Sequence, residues 1–150
     1  RQSPGSDIIF DEEKSLSLEG DSGPYLQYAL VRAKSVLAAA AEKGGAQAAP
    51  TSEVGAPTES AGAGAPEAPY LLERTILHFP EVAARAAHEL APNLLVNYLT
   101  ELAGEWNSFY AQERIIGGNY EAHKFMLARA FVATMTNGLT VLGIPTPERM

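Results

Sequence analysis

Cysteine is absent from the 150 residues, which excludes a disulfide framework and any zinc site built on thiolates. The lack of thiols fits a reducing, cytoplasmic setting. No apolar run approaches the roughly 20 residues that a bilayer crossing needs, so no membrane span is expected. The chain opens at Arg1 without an apolar leader, as expected of a piece cut from a longer polypeptide. Basic side chains are in the minority, 11 Lys and Arg against 18 Asp and Glu, for a net charge of −7. That is the wrong sign for a protein that gathers nucleic acid through a global positive field, and DNA is not an expected partner. The acids are unevenly placed, however. Six lie in the first 21 residues and three in the stretch 44–69, so the charge is partly displaced from the rest of the chain.

Catalytic and metal-binding patterns are equally scarce. His78, His88 and His123 have no ligand-type neighbour at metal spacing. Ser and His occur without the elbow or acidic motif of a nucleophilic triad. Gly117-Gly118 lacks the strand-then-helix setting of a phosphate loop. The pair Glu12-Glu13 has no reason to divide into acid and base. A self-contained enzyme is therefore disfavoured, and the positive signals are those of a binding surface.

No useful period-two run appears, and every strong pattern is helical. Residues 1–21 read as a lead-in, with the short apolar run Ile8-Ile9-Phe10 before an acidic turn. A first helix is expected over about 24–43, ended by Gly44-Gly45. Residues 44–69 are almost wholly Ala, Gly, Pro, Thr, Ser and Glu, and such a segment cannot offset its ordering entropy by burial. It reads as a flexible, low-complexity insertion. From Tyr70, Leu72, Ile76 and Phe79 repeat at helical spacing until Pro80, which starts a second short helix. Pro92 opens the strongest helix, with Leu95, Tyr98, Leu99, Leu102, Trp106, Phe109 and Tyr110 on one broad stripe. Asn93, Asn97, Thr100, Gly104 and Asn107 form a polar stripe opposite. After a loop ending in Asn119, a candidate cap, the last helix spans about 120–142, with Gly138 marking a close helix contact or a kink and Gly143 as its cap. The fold class is all-α, a bundle of about five helices within a domain over 22–150.

The stretch Glu19–Arg32 organises the rest. Gly20 and Gly23 permit a tight loop, Ser22 or Asp21 can cap, and Pro24 suits a first helical turn. Tyr25, Tyr28, Arg32 and Ser35 follow at i, i+3, i+7 and i+10, on one stripe beside the apolar one of Leu26, Ala29, Leu30, Ala33, Val36 and Leu37. Phenol rings and a guanidinium are the groups that stack on unpaired bases and pair with phosphates. The same spacing suits two half-buried core tyrosines and a solvated arginine.

Ser17-Leu18-Glu19-Gly20-Asp21-Ser22-Gly23-Pro24-Tyr25-Leu26-Gln27-Tyr28-Ala29 closely resembles the motif that opens the anticodon-binding (DALR-type) domain of the arginyl-tRNA synthetase family. Phe79-Pro80-Glu81-Val82, Trp106-Asn107-Ser108-Phe109-Tyr110, Asn137-Gly138-Leu139 and Pro147-Glu148-Arg149-Met150 are similar to later motifs of that family, so the resemblance covers about residues 4–43 and 70–150, nearly all but the insertion. It implies a tRNA-binding domain of an ATP-dependent arginine–tRNA ligase, non-catalytic by itself. The partner is tRNA(Arg), and the catalytic domain, with its ATP and Mg, lies outside this chain; no cofactor belongs to this part. The implied anticodon contacts are Ser17, Glu19, Gly20, Asp21, Ser22, Tyr25, Tyr28 and Arg32, joined by Asn107, Tyr110 and Met150. Arginine codons share only a middle G, so the pocket is expected to read one splayed cytosine. The chain departs from the family pattern at Leu30-Val31, where a polar neighbour of Arg32 is usual, and in the length of its insertion. The alternative is a helical protein–protein module that keeps the fold without RNA. A gathering of Arg32, Lys34, Arg114 and Arg149 near the Ser17–Ser22 loop favours RNA; scatter among acids favours the alternative.

Overall fold

The computed structural model describes residues 22–42 and 65–150. Within them the chain forms five helices: α1 (Gly23–Glu42), α2 (Leu71–Leu77), α3 (Phe79–His88), α4 (Pro92–Gln112) and α5 (Glu121–Val141). The expected all-α bundle is what is found, with helix limits within a residue or two of those read from the pattern. The expected lead-in 1–21 and most of the insertion, residues 43–64, lie outside the described residues.

The breaks follow from backbone chemistry. Pro80 has no N–H to give to the Ile76 carbonyl, so the helical run stops at His78 and restarts with Pro80 inside the first turn of α3. Pro92 sits in the first turn of α4, where its missing N–H is no loss. Gly143 adopts φ +72° after α5, and the hydrogen bonds Gly143 N–H to Thr140 O (3.0 Å) and Ile144 N–H to Leu139 O (2.9 Å) complete the left-handed cap expected of it. The same motif closes α3 without a glycine. Leu90 takes φ +52°, with Leu90 N–H bonded to Ala87 O (3.3 Å) and Ala91 N–H to Ala86 O (2.9 Å). A further left-handed residue, Tyr120 at φ +55°, precedes α5. Asn119 is thus not the cap; the first turn is instead tied down by Glu121, whose Oε2 accepts the Gly117 N–H at 3.1 Å.

α4 packs against each of the other four helices, and α1 lies along α5. The core is the stripe read from the sequence: Leu26, Ala29, Leu30 and Ala33 of α1 meet Leu95, Leu99, Leu102 and Trp106 of α4 and Phe131, Met135 and Leu139 of α5. The Trp106 ring stacks on Phe131 with centroids 4.7 Å apart. Gly138 is the close contact between α4 and α5. A Cβ placed there would stand 2.6 Å and 2.9 Å from the two methyls of the buried Leu99. Thr100 of the polar stripe turns out to be buried, its hydroxyl bonded to Val96 O (2.9 Å). A buried lysine was not foreseen: Lys124 bonds Glu113 Oε2 (2.7 Å) and Arg114 O (3.2 Å), bracing the 113–120 connection.

Candidate nucleic-acid interface

One face of α1 is core, and the opposite face is a ridge with a recess on either flank. Ser22 caps the helix, its Oγ accepting the Tyr25 N–H at 3.1 Å. Tyr25 is half-buried against the core, and its phenol oxygen accepts a hydrogen bond from Asn107 Nδ2 of α4 at 3.1 Å. Tyr28, by contrast, is 41% exposed. One turn on, the Arg32 guanidinium lies 4.3 Å from the centre of the Tyr110 ring and 5.9 Å from that of Tyr28. Two phenols from two helices thus lie within cation–π range of one guanidinium, with Tyr110 itself 37% exposed. Ser35 and Ala39 continue the ridge.

The first recess, about 460 Å³, opens between α1 and the end of α4. Arg32, Ser35 and Ala39 form one wall, and Tyr110, Glu113 and Arg114 face them. The second, about 470 Å³, lies on the other flank of the same ridge. Its far wall is Glu148 and Arg149, from the segment that follows α5. That segment is fastened along α1: Gln27 Nε2 donates to Pro145 O at 2.8 Å, and Lys34 Nζ pairs with Glu148 Oε1 at 2.6 Å.

The surface is less acidic than the chain average. The described residues carry eight Lys and Arg against ten Glu, a net −2 against −7 for all 150 residues. Arg32 and Arg114 line the first recess and Lys34 and Arg149 the second, while residues 17–21, near which they were expected to gather, lie outside the described residues. Acids stand among them at Glu113, Glu42 and Glu148.

Residues 26–150 match the DALR anticodon binding domain family. The chain belongs to that family. Curated relatives named arginine–tRNA ligase include those of Thermus thermophilus, 35% identical over 156 residues, and Thermococcus kodakarensis, 35% identical over 153. The alignments cover 98% and 100% of this chain but 24% and 23% of those proteins, so the chain spans about a quarter of the relatives' length. The solved Thermus thermophilus arginyl-tRNA synthetase is similar to 98% of the chain, over 24% of its own length, with a TM-score of 0.73 and 34% identity. The resemblance read from the motifs is thus supported over nearly the whole chain.

Set against this DALR domain, the expected contact residues divide into three groups. Tyr28, Arg32 and Tyr110 come together on the ridge, and Tyr25 and Asn107 meet beneath it. Met150 follows Arg149 beyond the second recess and is 60% exposed. Ser17, Glu19, Gly20 and Asp21 lie outside the described residues, and Ser22 serves as the helix cap. Of the two aromatics at 109 and 110, only Phe109 is core; its ring meets Tyr70 edge-on at 5.0 Å. The departure at Leu30-Val31 fits the packing, since both side chains are buried. The fastening of the last segment through Gln27 and Glu148 was missed. Its signal in the sequence is faint: Gln27 and Lys34 are seven apart, on one face of α1.

His123 has a structural partner. Its Nε2 lies 2.7 Å from Glu73 Oε1, joining α5 to α2. Nearby, burial pushes the Tyr70 phenol above its ordinary range, opposed by Lys124 and reinforced by Glu113.

Proposed function

We propose that this domain binds the anticodon loop of tRNA(Arg), reads its middle cytosine, and so positions the tRNA for ATP-dependent arginine ligation by a catalytic domain elsewhere in the same polypeptide. ATP and Mg belong to that domain; this chain contributes binding and orientation. The observation that carries the reading is the Arg32 guanidinium seated over the Tyr110 ring and near that of Tyr28, beside a recess of about 460 Å³. An exposed phenol offers a face for a splayed base, and a guanidinium seated on a ring still presents its N–H edge to phosphate or base. Cytosine carries one exocyclic amine donor and acceptors at N3 and O2. Carbonyls or the Asp21 carboxylate of the preceding loop would take the amine, and backbone N–H groups would serve the acceptors.

The test is a titration with a labelled anticodon stem-loop carrying a middle C, beside one carrying a middle A, at low and moderate salt. Salt-sensitive binding that prefers C is expected. Tyr28→Ala should weaken it by about 1–3 kcal/mol if the ring stacks on a base. Arg32→Lys keeps the charge but loses the planar stack on Tyr110 and should cost about 0.5–1 kcal/mol. Binding indifferent to the middle base, or unaffected by Tyr28→Ala, would refute the reading.

A further inference from the structure

Arg32 and Lys34 are neighbours on α1, yet the structure uses their charges differently. Arg32 rests on aromatic rings. Lys34 is turned to the other flank, where Nζ donates to Glu148 Oε1 at 2.6 Å and to Pro147 O at 3.4 Å. Gln27, two helical turns earlier on the same face, donates to Pro145 O at 2.8 Å. Pro145 and Pro147 cannot continue a helix and have no N–H to give, so their carbonyls are the groups by which this stretch can be held. Two side chains of α1 take hold of both, and Glu148 completes the attachment. The segment is thereby laid along the ridge, and Arg149 is brought to the recess bordered by Ser35, Ala38, Ala39 and Glu42.

We infer that Lys34 is a positioning residue for RNA: it fastens the 145–149 segment so that Arg149 stands as a phosphate-binding cation on the second flank of the α1 ridge. The inference rests on the anticodon-loop reading given above, and its partner is the phosphodiester backbone of the strand lying on that ridge. A lysine that itself bound phosphate would behave in the opposite way. Glu148 would then compete with RNA for Lys34, and removing it would tighten binding. If Lys34 acts by fastening, removing Glu148 frees the segment and weakens binding, even though a negative charge has been taken away.

The experiment uses the 150-residue chain and the middle-C stem-loop. Glu148→Gln and Lys34→Gln are each expected to weaken binding about twofold to fivefold, the range of a partly exposed ion pair. The double variant should be no weaker than the worse single one. Glu42→Gln removes an acid from the same recess without touching the attachment, and should leave affinity unchanged or raise it. The exchanged pair, Lys34→Glu with Glu148→Lys, keeps the net charge and should restore binding. Without RNA, amide hydrogen exchange over residues 143–149 should be faster in Lys34→Gln and return toward the original rate in the exchanged pair. Tighter or unchanged binding in Glu148→Gln, or an exchanged pair as weak as Lys34→Gln, would overturn the inference while leaving the anticodon reading intact. Failure of the unmodified chain to bind the stem-loop would overturn both.

Discussion

Replacing Gly138 by alanine sets two effects of known size against each other. Alanine is the better helix former by about 1 kcal/mol in a helix interior. The added Cβ, however, would lie 2.6 Å from Leu99 Cδ2, 2.9 Å from Cδ1 and 3.2 Å from Cγ, where carbons are comfortable at about 3.5–4.0 Å. Both residues are fully buried, and Leu99 has no solvent side toward which to retreat. Overpacking of this kind costs about 1–3 kcal/mol. The expected outcome is a net loss of about 1 kcal/mol, read by urea unfolding followed by circular dichroism. The discriminating step is a second background. Leu99→Ala alone should cost about 2–5 kcal/mol by opening a cavity. In that background the clash is gone, the propensity gain remains, and the new methyl fills part of the void. Gly138→Ala should therefore stabilise the Leu99→Ala protein by about 1 kcal/mol or more, reversing sign. If Gly138→Ala has the same effect in both backgrounds, the contact with Leu99 is not what requires glycine, and the reasoning fails.

Two further outcomes are expected. Leu90 holds a left-handed backbone while 82% exposed, so Leu90→Gly loses little packing and relieves about 1 kcal/mol of strain, raising the unfolding midpoint. Burial, reinforced by Glu101, pushes the Tyr98 phenol well above its ordinary range. An unfolded tyrosine releases its proton near pH 10 while the folded one keeps it, so the unfolded state binds fewer protons and stability falls as pH rises beyond 10, by up to about 1.4 kcal/mol per pH unit. Tyr98→Phe should flatten that decline in alkaline unfolding curves and leave a smaller one from Tyr70. At neutral pH it should cost about 0.5–1.5 kcal/mol for the lost hydrogen bond to Thr75 O, which is 2.9 Å long.

What was legible in the chain and what was not divide along a physical line. The helix limits rest on Pro80, Pro92 and Gly143, residues whose backbone restrictions act locally and can be read without a partner. The core stripe of α4 follows from helical period, and the cost of a glycine inside a helix marked Gly138 as a close contact or a kink, of which the structure shows the contact. Leu90 and Tyr120 carried no such mark: a left-handed leucine or tyrosine is held by its surroundings, and its side chain argues against the conformation it adopts. Lys124 sits on the inward stripe of α5, seven residues before Phe131, but its burial is made tolerable by Glu113 and the Arg114 carbonyl, which lie outside its own helix. At the ridge, the spacing of Tyr25, Tyr28 and Arg32 was plain, whereas the split between a tethered Tyr25 and an open Tyr28 depends on where α4 delivers Asn107 and Tyr110. Whether a ring on a helix is core or contact is decided by its neighbour across the groove.

The double duty of α1 has a thermodynamic consequence. Ala29, Leu30 and Ala33 are completely buried directly beneath the ridge, so the backbone bearing Tyr28 and Arg32 is anchored in the core. Arg32 is further confined by Tyr110. A ligand arriving there finds its contacts already ordered and forfeits little conformational entropy on this side of the interface. On the proposed anticodon-loop reading, the ordering demanded by the encounter falls mainly on the RNA, and differences in how readily a loop splays its base would appear directly as differences in affinity.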